Sequence, residues 1–285
     1  MTHIPHIKVP DLGERRIGFF MRKWIAMATH TSYLLGHIAP KRIPMIVVNG
    51  FPKSGTVWVT QMVADYLQYP FHDLSFFPIG SPGVLHGHYQ VRKKGPPMVY
   101  VVRDGRDTMV SMYFHMTRNL PDGDNPRMPA GYARHLRGLK NKNQIREFLP
   151  EFIRRQFNRS YGCRSNWNQH VRSFLDSKRD DVPLVRYEDL LSTPFETMAT
   201  ALKLLTQSQQ IDEDALGWTI QKFSFQRQSG RRSGEENANA FVRKGQAGDW
   251  RNHFSREAAE VFNELGGETL IQLGYESNKE WVKQT

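Results

Sequence analysis

Ten residues, Gly50-Phe-Pro-Lys-Ser-Gly-Thr-Val-Trp-Val59, follow directly on the apolar run Met45 to Val48 and hold the clearest chemistry in the chain. A strand that feeds a glycine-bounded loop opening a helix aims backbone N–H groups and the positive end of a helix dipole at one point. Such a point binds an oxyanion. The spacing from Gly50 to Gly55 is that of a nucleotide P-loop, yet a P-loop sets Lys and then Ser or Thr after its second glycine, where the hydroxyl holds Mg²⁺. Here Thr56 and Val57 follow Gly55, and the lysine lies inside the loop as Lys53. An ammonium placed before the helix suits metal-free chemistry in which the charge growing on a leaving oxygen is neutralised directly. Magnesium-ATP is the poorer fit, and no metal is expected.

Two further clusters share this logic. A second apolar run, Met98 to Val102, ends in Arg103-Asp-Gly-Arg-Asp107, with Ser111 eight residues beyond Arg103. An Arg at the carboxyl end of a strand and a Ser on the following helix sit where parallel sheets bind ligands, and together they can grip a second phosphate. Near the C-terminus, Phe241-Val-Arg-Lys-Gly-Gln-Ala-Gly-Asp-Trp250 sets Arg243 and Lys244 beside Gly245 and Gly248, so that cationic side chains and bare N–H groups can converge on an anion.

In this order the motifs resemble the soluble, small-molecule sulfotransferases that depend on 3′-phosphoadenosine 5′-phosphosulfate (PAPS). Pro52-Lys-Ser-Gly-Thr56 with Trp58 is similar to their 5′-phosphosulfate loop, Arg103 through Ser111 to their 3′-phosphate strand and helix, and Arg243-Lys-Gly245 with Gly248-Asp-Trp250 to their C-terminal cofactor segment. The resemblance runs from about Met45 to Phe254. It implies a cofactor site made of Pro52, Lys53, Ser54, Gly55, Thr56, Val57, Trp58, Arg103, Ser111, Tyr187, Phe225, Arg243, Lys244 and Gly245. Trp58 and Phe225 would sandwich the adenine, with Tyr187 reaching the base or the phosphates. Two departures stand out. The family often carries two threonines after the loop glycine, and Val57 replaces the second, leaving one hydroxyl fewer for the 5′-phosphate. The family's dimer motif survives only in part, as Arg251, Ser255, Arg256 and Glu260, so the oligomeric state stays open.

A sulfuryl acceptor loses a proton as it attacks, which calls for a base, and histidine is the natural choice. Val84-Leu-His-Gly-His88 lies between the two phosphate motifs where the family places Lys-Thr-His, and His88 aligns with that histidine. His86, two residues back on a strand, shares its face and is placed to assist or substitute. His72, His115, His135, His170 and His253 read as surface or structural residues. The implied reaction is in-line sulfuryl transfer to a hydroxyl or amine of a small-molecule or glycan acceptor, with His88 as general base and Lys53 stabilising the leaving group.

Composition adds little. With 39 Lys and Arg against 28 Asp and Glu, the net charge of +11 draws polyanions of any kind, and the reading gives the charge to the cofactor rather than to nucleic acid. No Cys-x-x-Cys or His-x-x-x-His spacing argues for a metal, and the single Cys163, which reads as a helix packing residue, fits a reducing compartment. Ile17 to Ile38 is apolar but broken by Arg22, Lys23, His30 and His37, so it reads as an amphipathic helix and not a membrane anchor. With Golgi-type relatives anchored, that pattern points to the cytoplasm.

The elements that must position these residues alternate. Strands are expected at Met45–Val48, Val84–His88, Met98–Val102 and Pro183–Tyr187. Helices are expected at Gly55–Leu67, Asp107–Met116, Gln144–Asn158, Cys163–Asp176, Phe195–Leu205, Asp212–Phe223 and Arg256–Leu265. Such alternation gives an α/β fold, one central parallel sheet flanked by helices. Residues 1–43 read as a helical extension packed on the core, and 44–285 as the sulfotransferase domain. Two polar stretches, Thr117 to Leu139 and Gln228 to Ala240, read as lid or binding loops, and the resemblance implies that both border the acceptor pocket and that the second closes over the cofactor. Phe71, Phe76 and Phe77 with Pro70 and Pro78 read either as pocket lining or as core. The competing functions are a divergent P-loop kinase and a non-catalytic polyanion binder.

Overall fold

The computed structural model describes residues 19–38, 45–71, 79–80, 82–118, 120–121 and 131–284. In chain order the elements are α1 (Phe19–Ile38), β1 (Met45–Gly50), α2 (Thr56–Tyr66), β2 (Gly83–Gly87), β3 (Met98–Val102), α3 (Gly105–Thr117), α4 (Ala133–Leu136), α5 (Ile145–Asn158), α6 (Trp167–Ser177), β4 (Leu184–Arg186), α7 (Tyr187–Ser192), α8 (Pro194–Thr206), α9 (Glu213–Lys222), α10 (Phe225–Ser229) and α11 (Arg256–Gln272). The strands form one all-parallel sheet in the order β2-β1-β3-β4. The chain winds outward from β1 to β2 and then crosses to β3 on the other side. The carboxyl ends of β1 and β3 therefore flank the switch point where open sheets bind ligands.

Alternation along the strands builds the layers. Met45 and Val47 of β1 and Met98, Tyr100 and Val102 of β3 enter one apolar cluster, with side chains from α1, α3, α5, α6 and α11. Ile46 and Val48 with Val99 and Val101 enter the other, against α2, α8 and α9. Both faces of the sheet are covered, which is why β1 and β3 read as unbroken apolar runs. α1 contributes Ala28 and Tyr33 to the first cluster.

Several boundaries differ from the sequence reading, most by a residue or two, and three of the differences bear on the site or its packing. α6 begins at Trp167, not Cys163, because Asn166 and Gln169 close a reciprocal capping box there. Cys163 thus lies outside any helix and donates its thiol to the His88 carbonyl at 3.3 Å. β4 ends at Arg186, and Tyr187 opens α7 instead of closing a strand. α11 runs to Gln272, past Gly266 and Gly267, which resemble a stop signal. A Cβ on Gly266 would stand 3.1 Å from both Phe157 and Phe262, so this glycine serves close packing. Phe76, Phe77, Pro78 and His72 lie outside the described residues, as does much of the Thr117 to Leu139 stretch, while Phe71 packs beside the second cluster.

The turn after β3 anchors the C-terminal segment. Asp107 accepts hydrogen bonds from the backbone N–H groups of Gly248 (2.7 Å) and Trp250 (2.8 Å). Arg106, buried, pairs with Asp104 and Glu276 and stacks on the indoles of Trp250 and Trp281 at 4.0 and 4.6 Å. The segment carrying Arg243 and Lys244 is thereby held over the ends of β1 and β3.

Candidate active site

The loop between β1 and α2 takes its shape from two left-handed residues, Lys53 (φ 72°) and Gly55 (φ 92°). A Cβ on Gly55 would also stand 2.7 Å from the Tyr187 ring, so glycine is required there twice over. No side chain caps α2, which leaves the N–H groups of its first turn for a ligand. At the end of β3, Arg103 lies over the Tyr187 ring at 4.2 Å and donates from Nη2 to the Gln246 carbonyl at 3.1 Å. From the C-terminal segment, Gly245 (φ 65°) receives the face of Phe225, which a Cβ would meet at 2.2 Å.

These parts surround one cavity of about 540 Å³, lined by Pro52, Lys53, Gly55, Thr56, Val57 and Trp58 of the loop and by Arg103, Ser111, Tyr187, Phe225, Arg243, Lys244 and Gly245. His86 and His88 line it as well. Of the residues singled out in the sequence, Ser54 alone is off the lining; its hydroxyl is buried without a partner, as is Nε of Arg103.

The electrostatics are those of an anion site. Lys53 is pushed down to about 7, first by burial and then by the charges of Arg118, Arg103 and Arg243. Its Nζ lies over the Phe241 ring at 4.5 Å. Arg243 and Lys244 are not free: each reaches an oxygen of the buried Asp249 at 2.5 Å. Burial alone would raise the Asp249 pKa, but hydrogen bonds from His253, Lys244, Arg243 and Asn252 hold it far below the usual carboxylate range. Glu236, from the polar loop at 228–240, meets Arg243 at 2.5 Å, so this loop folds back onto the cationic segment. An anion entering beside Arg243 competes with that carboxylate. Glu236→Gln is therefore expected to tighten anionic ligands by about twofold to fivefold, the scale of a partly exposed ion pair, which a titration of both proteins measures.

His88 sits one residue past β2, with Nδ1 2.6 Å from the Gly50 carbonyl. A carbonyl only accepts, so Nδ1 carries the proton and Nε2 is left with its lone pair. Burial, then the fields of His86 and Lys53, push His88 down to about 3, opposed by the Gly50 hydrogen bond. The His86 ring stands edge-on at 4.6 Å. His86, lowered to about 4 by burial, bonds Thr56 Oγ1 through Nε2 at 2.9 Å.

His135 bonds Gln156, His170 bonds Tyr100 and His253 bonds Asp249, in keeping with structural roles. His115 departs from the sequence reading. It lines the cavity and is lowered to about 3 by burial and by the charges of Lys53 and Arg118. It lies four residues after Ser111 on α3, hence on the same helix face, a spacing that could have disclosed it. Phe241 and Tyr161 also line the cavity, 6.4 and 6.3 Å from the His115 ring, and only the tertiary fold brings them there. Among the described residues, no cluster of three or more His, Cys, Asp or Glu is arranged to hold a metal, and no helix is long and apolar enough to cross a membrane.

A single α/β domain whose sheet presents an anion loop, a strand-end arginine and a histidine at its switch point defines a class, and comparison with known proteins gives it a name. The family model for the sulfotransferase domain matches residues 85–274, and the chain belongs to that family. Sulfotransferase 1B1 of Mus musculus is 25% identical over 280 residues, covering 79% of this chain and 84% of the relative. The amine sulfotransferase of Oryctolagus cuniculus is 21% identical over 266 residues, covering 79% and 80%. Among solved structures, a mouse sulfotransferase complexed with PAP superposes with a TM-score of 0.60 at 18% identity, covering 91% of this chain and 95% of that one. The family's chemistry is sulfuryl transfer.

Proposed function

We propose that the protein transfers the sulfuryl group of PAPS to a hydroxyl or amine of a small-molecule or glycan acceptor. The observation that carries the reading is the environment of Lys53. Partial burial first, and then the charges of Arg118, Arg103 and Arg243, drive this half-buried lysine toward neutrality, an arrangement that is unfavourable until an anion enters. The buried, unpartnered Nε of Arg103, a residue that lines the cavity, fits a ligand with several phosphate oxygens. When bound, PAPS supplies an activated sulfuryl group on a 3′,5′-bisphosphate leaving group.

The chain's own residues divide the work. Lys53 and the loop N–H groups set positive charge where negative charge develops, and Arg103 with Ser111 holds the 3′-phosphate. Trp58, Phe225 and Tyr187 flank the base, while Arg243, Lys244 and Gly245 close the phosphate side. His88, neutral and held by Gly50, takes the acceptor's proton at Nε2. Loop 228–240 is tied to the C-terminal segment by Gly234 N–H to the Lys244 carbonyl (2.9 Å) and Asn237 N–H to the Arg243 carbonyl (3.0 Å), and its first residue, Gln228, lines the cavity.

The test is a calorimetric titration with adenosine 3′,5′-bisphosphate in EDTA, with ATP plus Mg²⁺ alongside. Binding without metal, weakened about tenfold to a hundredfold in Arg103→Ala, is the expected result, the range for a hydrogen bond to a charged group. Metal-dependent ATP binding with no bisphosphate binding overturns the reading in favour of a kinase. Salt-sensitive binding of heparin alone overturns it in favour of a polyanion binder.

A further inference from the structure

One bond in the cavity joins two parts of the site that the reading above treats separately. Thr56, the first residue of α2, is 3% exposed. Its methyl group faces Gly50, where a Cβ would stand 2.8 Å from Cγ2, and its Oγ1 lies 2.9 Å from Nε2 of His86. The anion loop is thus tied to the strand that leads to His88. Val57 and Trp58 follow, so Thr56 bears the first and only side-chain hydroxyl between Gly55 and Val59.

A threonine hydroxyl has one proton and a neutral imidazole has one N–H, so the bond runs in one of two directions. If the hydroxyl donates to His86, Oγ1 turns only lone pairs toward the loop, and these repel an oxyanion. If His86 Nε2–H donates to Oγ1, the hydroxyl proton remains for the ligand. An anion in the loop selects the second arrangement. Burial keeps His86 neutral at pH 7, so its tautomer is set by its partners.

We infer that His86 is a positioning residue of the anion loop, whose Nε2–H holds Thr56 Oγ1 so that the hydroxyl proton points at the 5′-phosphate end of the bound nucleotide. The inference rests on the bisphosphate-site reading. It gives His86 a task distinct from the base and supplies a donor next to the position where Val57 has none. It also couples the loop to His88, whose ring stands edge-on to His86.

The experiment compares adenosine 3′,5′-bisphosphate with adenosine 3′-phosphate, which lacks the 5′-phosphate, on wild type, His86→Leu, His86→Gln, Thr56→Val and the Thr56→Val/His86→Leu double variant. His86→Leu and Thr56→Val should each weaken the bisphosphate roughly tenfold or more, as loss of a donor to a charged group does. The 3′-phosphate should change less than about twofold on the same principle, since it lacks the group that the donor serves. The double variant should be no weaker than the weaker single, because both remove one hydrogen-bonded chain. His86→Gln, which keeps a side-chain N–H donor, should recover most of the affinity. Equal losses for both nucleotides, multiplying losses in the double variant, or unchanged bisphosphate affinity with collapsed kcat each overturn the inference. If His86→Leu does not fold, Thr56→Val must show the 5′-selective loss by itself. Wild type that binds neither nucleotide overturns the site reading and the inference with it, an outcome read before any variant is made.

Discussion

His88→Asn is expected to lower kcat by ~10²–10⁴, the span of general-base catalysis, while the Kd for adenosine 3′,5′-bisphosphate stays within about twofold. The contrast follows from geometry. An Asn amide can donate to the Gly50 carbonyl as Nδ1–H does (2.6 Å), so the loop's entry is preserved and only the Nε2 lone pair is lost. The pH dependence has a defined sign. In the free protein His88 is pushed down to about 3, by burial first and then by His86 and Lys53, so it is neutral and able to accept a proton throughout the neutral range. The acid side of the kcat/KM profile, which reports the free protein, should therefore show no limb near the ordinary histidine value of ~6.5, whereas loss of the Lys53 proton, at about 7, makes the alkaline side fall. A bound anion offsets the Lys53 field, so the limb in kcat, which reports the complex, should lie above that in kcat/KM. Steady-state rates of wild type and variant between pH 5.5 and 8 measure the drop in kcat and check that no acid limb enters that window. Near-normal kcat in His88→Asn would move the base to His86, with His115 the next group in the cavity.

How far the sequence discloses this site depends on the range of the interactions that build it. The phosphate loop is local: β1 as an unbroken apolar run, Gly55 at a positive φ and the uncapped start of α2 all lie within fifteen residues, and each has its own residue signature. Arg103 is local for the same reason, as a charge at the end of a buried strand. The alternating clusters on β1 and β3 follow from strand geometry once the strands are placed. What the sequence hides is cross-chain. The Thr56–His86 bond needs the parallel register that sets Val48 beside His86, and nothing near either residue encodes that pairing. His115 was masked by its type, since a lone histidine in a helix is usually structural, although its spacing from Ser111 was available. Asp249 reads as part of a glycine-rich segment, yet it is the carboxylate that neutralises Arg243 and Lys244. The start of α6 is set by the capping box at Asn166 and Gln169, which leaves Cys163 in the preceding loop, where its thiol meets the His88 carbonyl across the chain.

Binding of adenosine 3′,5′-bisphosphate is expected to take up protons, and Lys53→Met is expected to abolish that uptake and to lower kcat by ~10²–10³, the loss typical of one group that stabilises developing negative charge. With its pKa at about 7, Lys53 in the free protein is about half neutral at pH 7. An anion beside it favours the ammonium, so its pKa rises on binding and the neutral fraction is protonated. The Lys53 share of the uptake, read as wild type minus Lys53→Met so that protons lost by the ligand's own phosphates (second pKa ~6) cancel, should be near zero at pH 6, about half a proton at pH 7 and close to one at pH 8, and above pH 7 the affinity should fall as Lys53 loses its proton. Calorimetry in two buffers of different ionisation enthalpy reads the uptake directly. Under the proposed function the same lysine links recognition to chemistry. Burial and three neighbouring cations make its protonated form unfavourable in the free protein, and the incoming anion restores it at the place where the leaving oxygen gains charge. Wild type without uptake at pH 8 would show that Lys53 does not meet the anion. Uptake retained in Lys53→Met would transfer the effect to another group in the cavity, and full kcat in that variant would remove Lys53 from the transition state.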